Sequence, residues 1–330
     1  ASSAASDVYK RQTHGEGFIR GFFNVIKSAT TGTGAALERL FITGVSPVTM
    51  DDVTSGFNIG TNITNDSWFN DLVGFSENEL REMLEYYKEQ GVLQESIDEI
   101  VAMMKPNYDN YCFSEDTLEQ CMFNSDMALY FLKSFVLHHK KPKEIVDPNI
   151  RTDFNKLAYL IKLDHGLGEN FSVIKEIAEQ GEIITDIVTH FSALEMTDPS
   201  NFKSLLFYFG LLSIKGVDMV GRPILHVPNL VVREQLFNFL IQGYIKHDIF
   251  KIDMNKMSAL FENMAFRGDW KPLFDFIANA VREQSRIREY IEGEAHIKGF
   301  LLAYLGMYRY YQLYPCLLYT SPSPRDISGS

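Results

Sequence analysis

Three groups of residues in this chain have types and spacing that could do chemistry. Thr31-Gly32-Thr33-Gly34 has the glycine content that lets backbone amides close on a phosphate. No Lys-Ser/Thr pair follows it and no strand pattern precedes it, so the segment reads as a flexible connection rather than a phosphate loop. His138-His139-Lys140-Lys141-Pro142-Lys143 is the strongest basic cluster. It could meet phosphate, or it could be a solvated helix end whose cations suit the helix dipole, and the second reading is the simpler. Cys112 and Cys121 are too widely spaced for a Cys-x-x-Cys knuckle, and no His-Glu-x-x-His occurs, so no metal centre is expected from these residues.

The elements that would position such groups follow from hydrophobic spacing. Phe18, Phe22 and Ile26 share one helical face. The apolar run at 40–45, bounded by a Ser-Pro turn, reads as a buried strand of parallel type. Residues 50–74, rich in Asp, Asn, Thr and Gly, read as a long loop of the kind that carries function after α/β strands. From Ser76 the pattern turns helical. Ser76 with Glu79 is a capping box for a helix to Gln90, and further helices are expected over 95–104, 125–137, 152–163, 172–180 and 201–211. Residues 108–124 between them are irregular and aromatic. Alternating strands at 212–214 and 224–227, joined through Gly216 and Gly221, signal a hairpin. Helices over 229–246 (capped by the Asn229 side chain), 255–266, 270–283 and 292–304 complete the pattern. The apolar helix followed by the hairpin resembles a winged helix. Lys203 is the helix's only cation, which argues against base reading and for a protein-packing role.

The two ends encode each other's reverse complement. Asp7-Val8-Tyr9-Lys10-Arg11-Gln12 can be written GAT GTG TAT AAG AGA CAG, whose opposite strand, one base out of frame, gives Cys-Leu-Leu-Tyr-Thr-Ser, the sequence from Cys316 to Ser321. The outer residues fit the two tails of transposase-based sequencing adapters, so 1–12 and 316–330 are expected to be adapter translations flanking an internal fragment. The whole chain has 31 basic and 43 acidic residues and a net charge of −12. Without the flanks the counts are 28 and 41, a net charge of −13. An acidic surface repels phosphate backbones, so nucleic-acid contact would need a local basic patch or a metal. A hydrophobic content of 45% supports packed cores, and 13–315 is long enough for about two or three domains. With no apolar span of membrane length and no disulfide framework, the expected setting is a reducing cytoplasm, away from membranes.

Six strings occur in a particular order: Phe41-Ile42-Thr43-Gly44-Val45-Ser46-Pro47; Thr54-Ser55-Gly56-Phe57-Asn58-Ile59; Asp147-Pro148-Asn149-Ile150-Arg151-Thr152-Asp153; Asn201-Phe202-Lys203-Ser204-Leu205-Leu206; Pro228-Asn229 with Val232-Arg233-Glu234; and Gly299-Phe300-Leu301-Leu302-Ala303-Tyr304-Leu305. In this they resemble the bacterial AAA-ATPase-like family whose members carry a C-terminal PD-(D/E)XK nuclease-superfamily domain. The resemblance covers nearly all of 16–315. It implies an α/β remnant of a P-loop ATPase core over 13–75, a mainly helical middle with a winged-helix-like β-hairpin over 76–283, and a truncated α/β nuclease start over 284–315.

It also implies roles for particular residues. The family's phosphate-loop lysine and serine and its acidic magnesium strand have no counterpart here. Thr43 and Ser46 stand at the polar end of what resembles the sensor strand, where a hydroxyl orients attacking water or registers phosphate loss; equally, Thr43 simply closes the strand. Glu294 resembles the first nuclease glutamate, one of the acids that hold magnesium; equally, it is a helix-start carboxylate facing the macrodipole. ATP and Mg2+ are implied as cofactors of the intact parent and none for the fragment. Nucleic acid is implied as the partner of the nuclease domain, and the helical region could bind a protein instead. Expressed as given, the chain is expected not to hydrolyse ATP, because Thr43 alone cannot replace the groups that carry phosphate charge. Turnover above a buffer blank, abolished by Thr43→Ala, would contradict this.

Overall fold

The computed structural model describes residues 18–30, 34–44, 61–142, 144–147, 169–189, 195, 198–246, 253–283, 301 and 304–305. The described chain is mostly helical with one small antiparallel sheet of three strands. Ser46, Glu294, the expected helix at 152–163 and both end segments, 1–12 and 316–330, lie outside the described residues. Two compact units are formed, one from 1–164 with 184–229 and the other from 165–183 with 230–330.

In the first unit, helix α1 (Phe18–Thr30) forms where the aromatic spacing predicts it, with Phe22 exposed. Helix α2 (Glu77–Glu89) begins at the expected capping box: Ser76 Oγ accepts from the Glu79 amide at 3.2 Å, and Glu79 Oε2 accepts from the Ser76 amide at 2.8 Å. Helix α3 (Ile97–Tyr108) packs beside α2, and α4 (Ser125–His138) beside α3. Leu80, Leu84, Ile100, Met104 and Phe131 are buried, with Tyr108 edge-on to Phe131 at 5.9 Å between ring centroids. Glu77, Arg81, Asp98 and Lys105 form a chain of exposed ion pairs linking α2 to α3; such pairs contribute little, about 0–1 kcal/mol each.

Asp198 caps helix α6 (Pro199–Tyr208) by accepting from the Ser200 amide at 3.0 Å. The sheet has the order β1 (Glu182–Ile184), β3 (Pro223–His226), β2 (Ser213–Val217), and the boundary between the two units falls inside β1. Strands β2 and β3 form the expected hairpin, pairing Ser213 with His226 and Ile214 with Leu225, with a bulge between Ile214 and Gly216. Leu212, Ile214, Leu225 and Val227 are all buried, as their alternation predicts.

One expected element is not formed. Residues 40–44 have no regular structure, and Phe41 is 66% exposed with Leu40 and Ile42 also open to solvent. A buried parallel strand needs neighbours to pair its backbone and cover both faces, and among the described residues no strand lies beside this run.

The second unit contains α5 (Glu169–Gln180), α7 (Leu230–Lys246), α8 (Met254–Arg267) and α9 (Lys271–Glu283). Helix α5 packs on α7, and α8 on α9. The buried Phe171 ring of α5 meets Tyr244 edge-on at 5.5 Å and Phe239 at 6.4 Å. A Cβ added at Gly243 would overlap that ring.

Two alanine substitutions separate packing from propensity. Helix propensity favours Gly→Ala by about 1 kcal/mol, whereas overpacking costs about 1–3 kcal/mol. Gly243→Ala is therefore expected to lose about 1 kcal/mol in thermal or urea denaturation. Gly21→Ala in α1, where a Cβ meets nothing within 4 Å, should gain about 0.5–1 kcal/mol. Equal effects at the two positions would refute the close approach of α5 and α7.

Candidate functional site

Residues 109–124 form no α-helix and no extended strand, so most of their polar backbone must be satisfied by other means. Two isolated antiparallel bridges do part of this. Tyr111 and Met122 exchange both backbone bonds, at 3.1 and 2.7 Å, and Phe75 and Phe123 do the same at 3.0 and 2.7 Å. The second bridge depends on Gly74, whose φ is +95° and where any Cβ would lie 2.8 Å from Phe123 O. Between the bridged residues the chain turns through a 3-10 segment at Glu115–Thr117, capped by Ser114. Buried Asn70 clasps both limbs of this turn, donating to Gln120 O at 3.0 Å and accepting from the Phe113 amide at 3.1 Å.

The antiparallel register that pairs Tyr111 with Met122 makes Cys112 and Cys121 the next facing pair. In this register the pair that exchanges both bonds is followed by one whose side chains approach more closely. Both cysteines are free, Cys112 buried and Cys121 half-buried. A hydrogen bond from the Cys121 thiol holds Cys112 down, to about 7, against the opposing effect of burial, and the same contact pushes Cys121 up. Cys112 Sγ also lies 3.1 Å from Ser114 O and 3.7 Å from Thr117 O, and Cys121 Sγ lies 3.5 Å from Leu118 O. Judging these cysteines only against metal-knuckle spacing missed the pair. Its signal in the sequence is the turn-forming stretch that the two cysteines bracket.

The thiol loop is fastened to the hairpin. The Cys112 amide donates to Ser213 Oγ at 2.7 Å, and the Cys112 carbonyl accepts from the Ile214 amide at 3.2 Å and from Ser213 Oγ at 3.4 Å. Asn110 Nδ2 donates to Pro228 O at 3.0 Å, and Asn229 Nδ2 donates to Asp109 O at 3.1 Å. Asn229, expected as a helix cap, thus spends its side-chain amide on satisfying a buried carbonyl. Burial pushes the Tyr111 phenol up while the Asn229 and Asn124 side chains hold it down. Burial likewise raises the Asp109 carboxyl, against the Asn110 amide and Lys105, whose Nζ is 4.0 Å away.

At the far end of the hairpin, Asp218 Oδ1 accepts from the amides of Val220 (2.9 Å) and Arg222 (2.8 Å), and Asp218 Oδ2 pairs with the Arg222 guanidinium at 2.9 Å. The hydrogen bond from the Arg222 amide, foremost, holds the Asp218 carboxyl below its usual range. This closes the turn and neutralises its cation, leaving Val217, Met219 and Val220 exposed.

Of the residues the resemblance singles out, Thr43 is exposed on the irregular stretch 40–44, and Ser46 and Glu294 lie outside the described residues. The basic cluster is a solvated helix end: His138 to Lys141 are exposed, and His139, in the left-handed region at φ 50°, closes α4 by donating its amide to Phe135 O at 2.7 Å. Among the described residues no group of three or more His, Cys, Asp or Glu could hold a metal ion, and no helix is long and apolar enough to cross a membrane. No protein-family model matches the chain, and no curated protein or solved structure does so.

The buried carboxyl makes a pH-dependent prediction. Asp109 has a folded pKa above its unfolded value, so its contribution to stability is complete below about pH 3.9 and is lost as the pH rises through the folded value. Asp109→Asn keeps the shape and removes the ionisation. In urea titrations the variant should be more stable than the parent at pH 7, with the advantage gone at pH 3. A variant weaker at pH 7 than at pH 3, relative to the parent, would show that the ionised carboxylate is stabilising.

Proposed function

We propose that this chain is part of an ATP-binding and ATP-hydrolysing AAA-like protein coupled to a PD-(D/E)XK nuclease-like domain that cleaves nucleic acid with Mg2+. What supports this reading is the order of the six strings of the resemblance; a helix and an antiparallel hairpin at α6 and β2–β3 are compatible with it. In the intact parent, ATP and Mg2+ are the cofactors, Thr43 and Ser46 sense the γ-phosphate, and Glu294 is one of the acids that position the nuclease metal.

The hairpin tip favours a second reading, an ATP-driven protein-interaction switch without nuclease activity. A wing that contacts DNA relies on cations for phosphate. Here Arg222 is paired with Asp218, Lys215 is the one further lysine or arginine of the hairpin, the tip offers Val217, Met219 and Val220, and α6 buries Phe202, Leu205, Leu206 and Phe207. Such a surface suits an apolar protein contact.

The intact parent separates the two. On the first reading it hydrolyses ATP, cleaves DNA with Mg2+, and loses cleavage in Glu294→Gln while keeping ATP turnover. ATP turnover without any cleavage of DNA or RNA, together with a partner contact that Met219→Asp weakens at least about tenfold but that survives salt between 50 and 200 mM, establishes the switch instead. Absence of ATP turnover overturns both.

A further inference from the structure

We infer that Cys112 and Cys121 form a reversible dithiol switch, closed to a disulfide by a peroxide and acting on the base of the β2–β3 hairpin. The geometry stands on the backbone. The two-bond bridge between Tyr111 and Met122 sets the cysteines opposite each other in the next register position, where Cα atoms approach to about 4.5 Å, within the range a disulfide spans. The clasp of Asn70 on Phe113 and Gln120 holds the two limbs in that register.

The chemistry balances with a named oxidant. Cys112, as the thiolate that its partner's hydrogen bond favours, attacks one peroxide oxygen; the O–O bond breaks, Cys112 becomes a sulfenic acid and hydroxide leaves, taking the proton Cys112 gave up. The Cys121 sulfur then attacks the Cys112 sulfur, the S–S bond forms, and the sulfenic oxygen departs as water with the Cys121 proton. Two electrons pass from the sulfurs to the peroxide, and a dithiol reductant reverses the change. Exposed Glu115, Asp116 and Glu119 surround the turn, so a small neutral peroxide is admitted in preference to an anionic disulfide. The link to the hairpin is direct, because Cys112 shares three hydrogen bonds with Ser213 and Ile214.

The test uses the full chain carrying Cys316→Ser, so that only this pair of thiols remains. Hydrogen peroxide under native conditions should convert two maleimide-reactive thiols to none, lower the intact mass by two hydrogens, yield a linked peptide pair containing Cys112 and Cys121, and be reversed by dithiothreitol. With Cys121→Ser added, dimedone should label Cys112. Closure should also change hydrogen exchange at the Ile214 amide at least several-fold. Sulfinic or sulfonic acids without a link, a link only between molecules, or thiols that survive peroxide overturn the switch. A link that forms with Ile214 exchange unchanged overturns its action on the hairpin.

Discussion

The first unit depends on one constraint: an irregular segment, 109–124, has limbs that are partly buried on either side of an exposed turn, and every buried backbone polar group there needs a partner. Regular structure would supply these internally; here amide and hydroxyl side chains from remote positions do so. Asn70 reaches Phe113 and Gln120, Ser213 reaches Cys112, Asn229 reaches Asp109, and Asn110 reaches Pro228. Each such bond contributes only about 1 kcal/mol net, but leaving one of these groups unpaired costs about 1–3 kcal/mol. The asymmetry makes the network specify the fold more strongly than it stabilises it.

Because the network joins segments far apart in sequence, it ties the thiol loop directly to the hairpin. A change at Cys112 meets Ser213 and Ile214 without passing through solvent, and the hairpin that begins there ends in an apolar tip. The buried face of the hairpin, Ile214 against Leu225, is set by register, and a slip of one residue would expose it. The thiol loop and the hairpin therefore share a register constraint, one at each side of the Cys112 backbone.

What the sequence made legible was what is decided locally. The Ser76 and Glu79 capping box involves residues three apart and formed as read. The hairpin was legible because alternation and paired glycines act within a few residues. The run at 40–45 read as a strand because apolar content alone cannot report whether a pairing neighbour exists, and the exposed Phe41 marks that failure. The thiol pair was illegible for a related reason. Cys112 and Cys121 meet through a bridge between their neighbours, and spacing rules for metal sites carry no information about cross-strand register. Asn229 was legible as a polar residue at a helix start but not as a donor to Asp109, since the capping reading uses only its side-chain oxygen as an acceptor and says nothing of where Nδ2 donates.

Electrostatics separates the chemistry open to each end of this arrangement. Around the thiols the exposed charges are the carboxylates of Glu115, Asp116 and Glu119, with Lys105 also acting on Cys121; the carboxylates raise the cost of bringing in anions but leave neutral reactants unaffected. In the turn itself Arg222 is paired with Asp218, while Lys215 stands exposed on β2. A chain of net charge −12 gains little overall from the counterion release that drives nucleic-acid binding unless its cations are gathered in one patch. The exposed side chains of Val217, Met219 and Val220 make the turn of the hairpin more apolar than the acidic surface around the thiols.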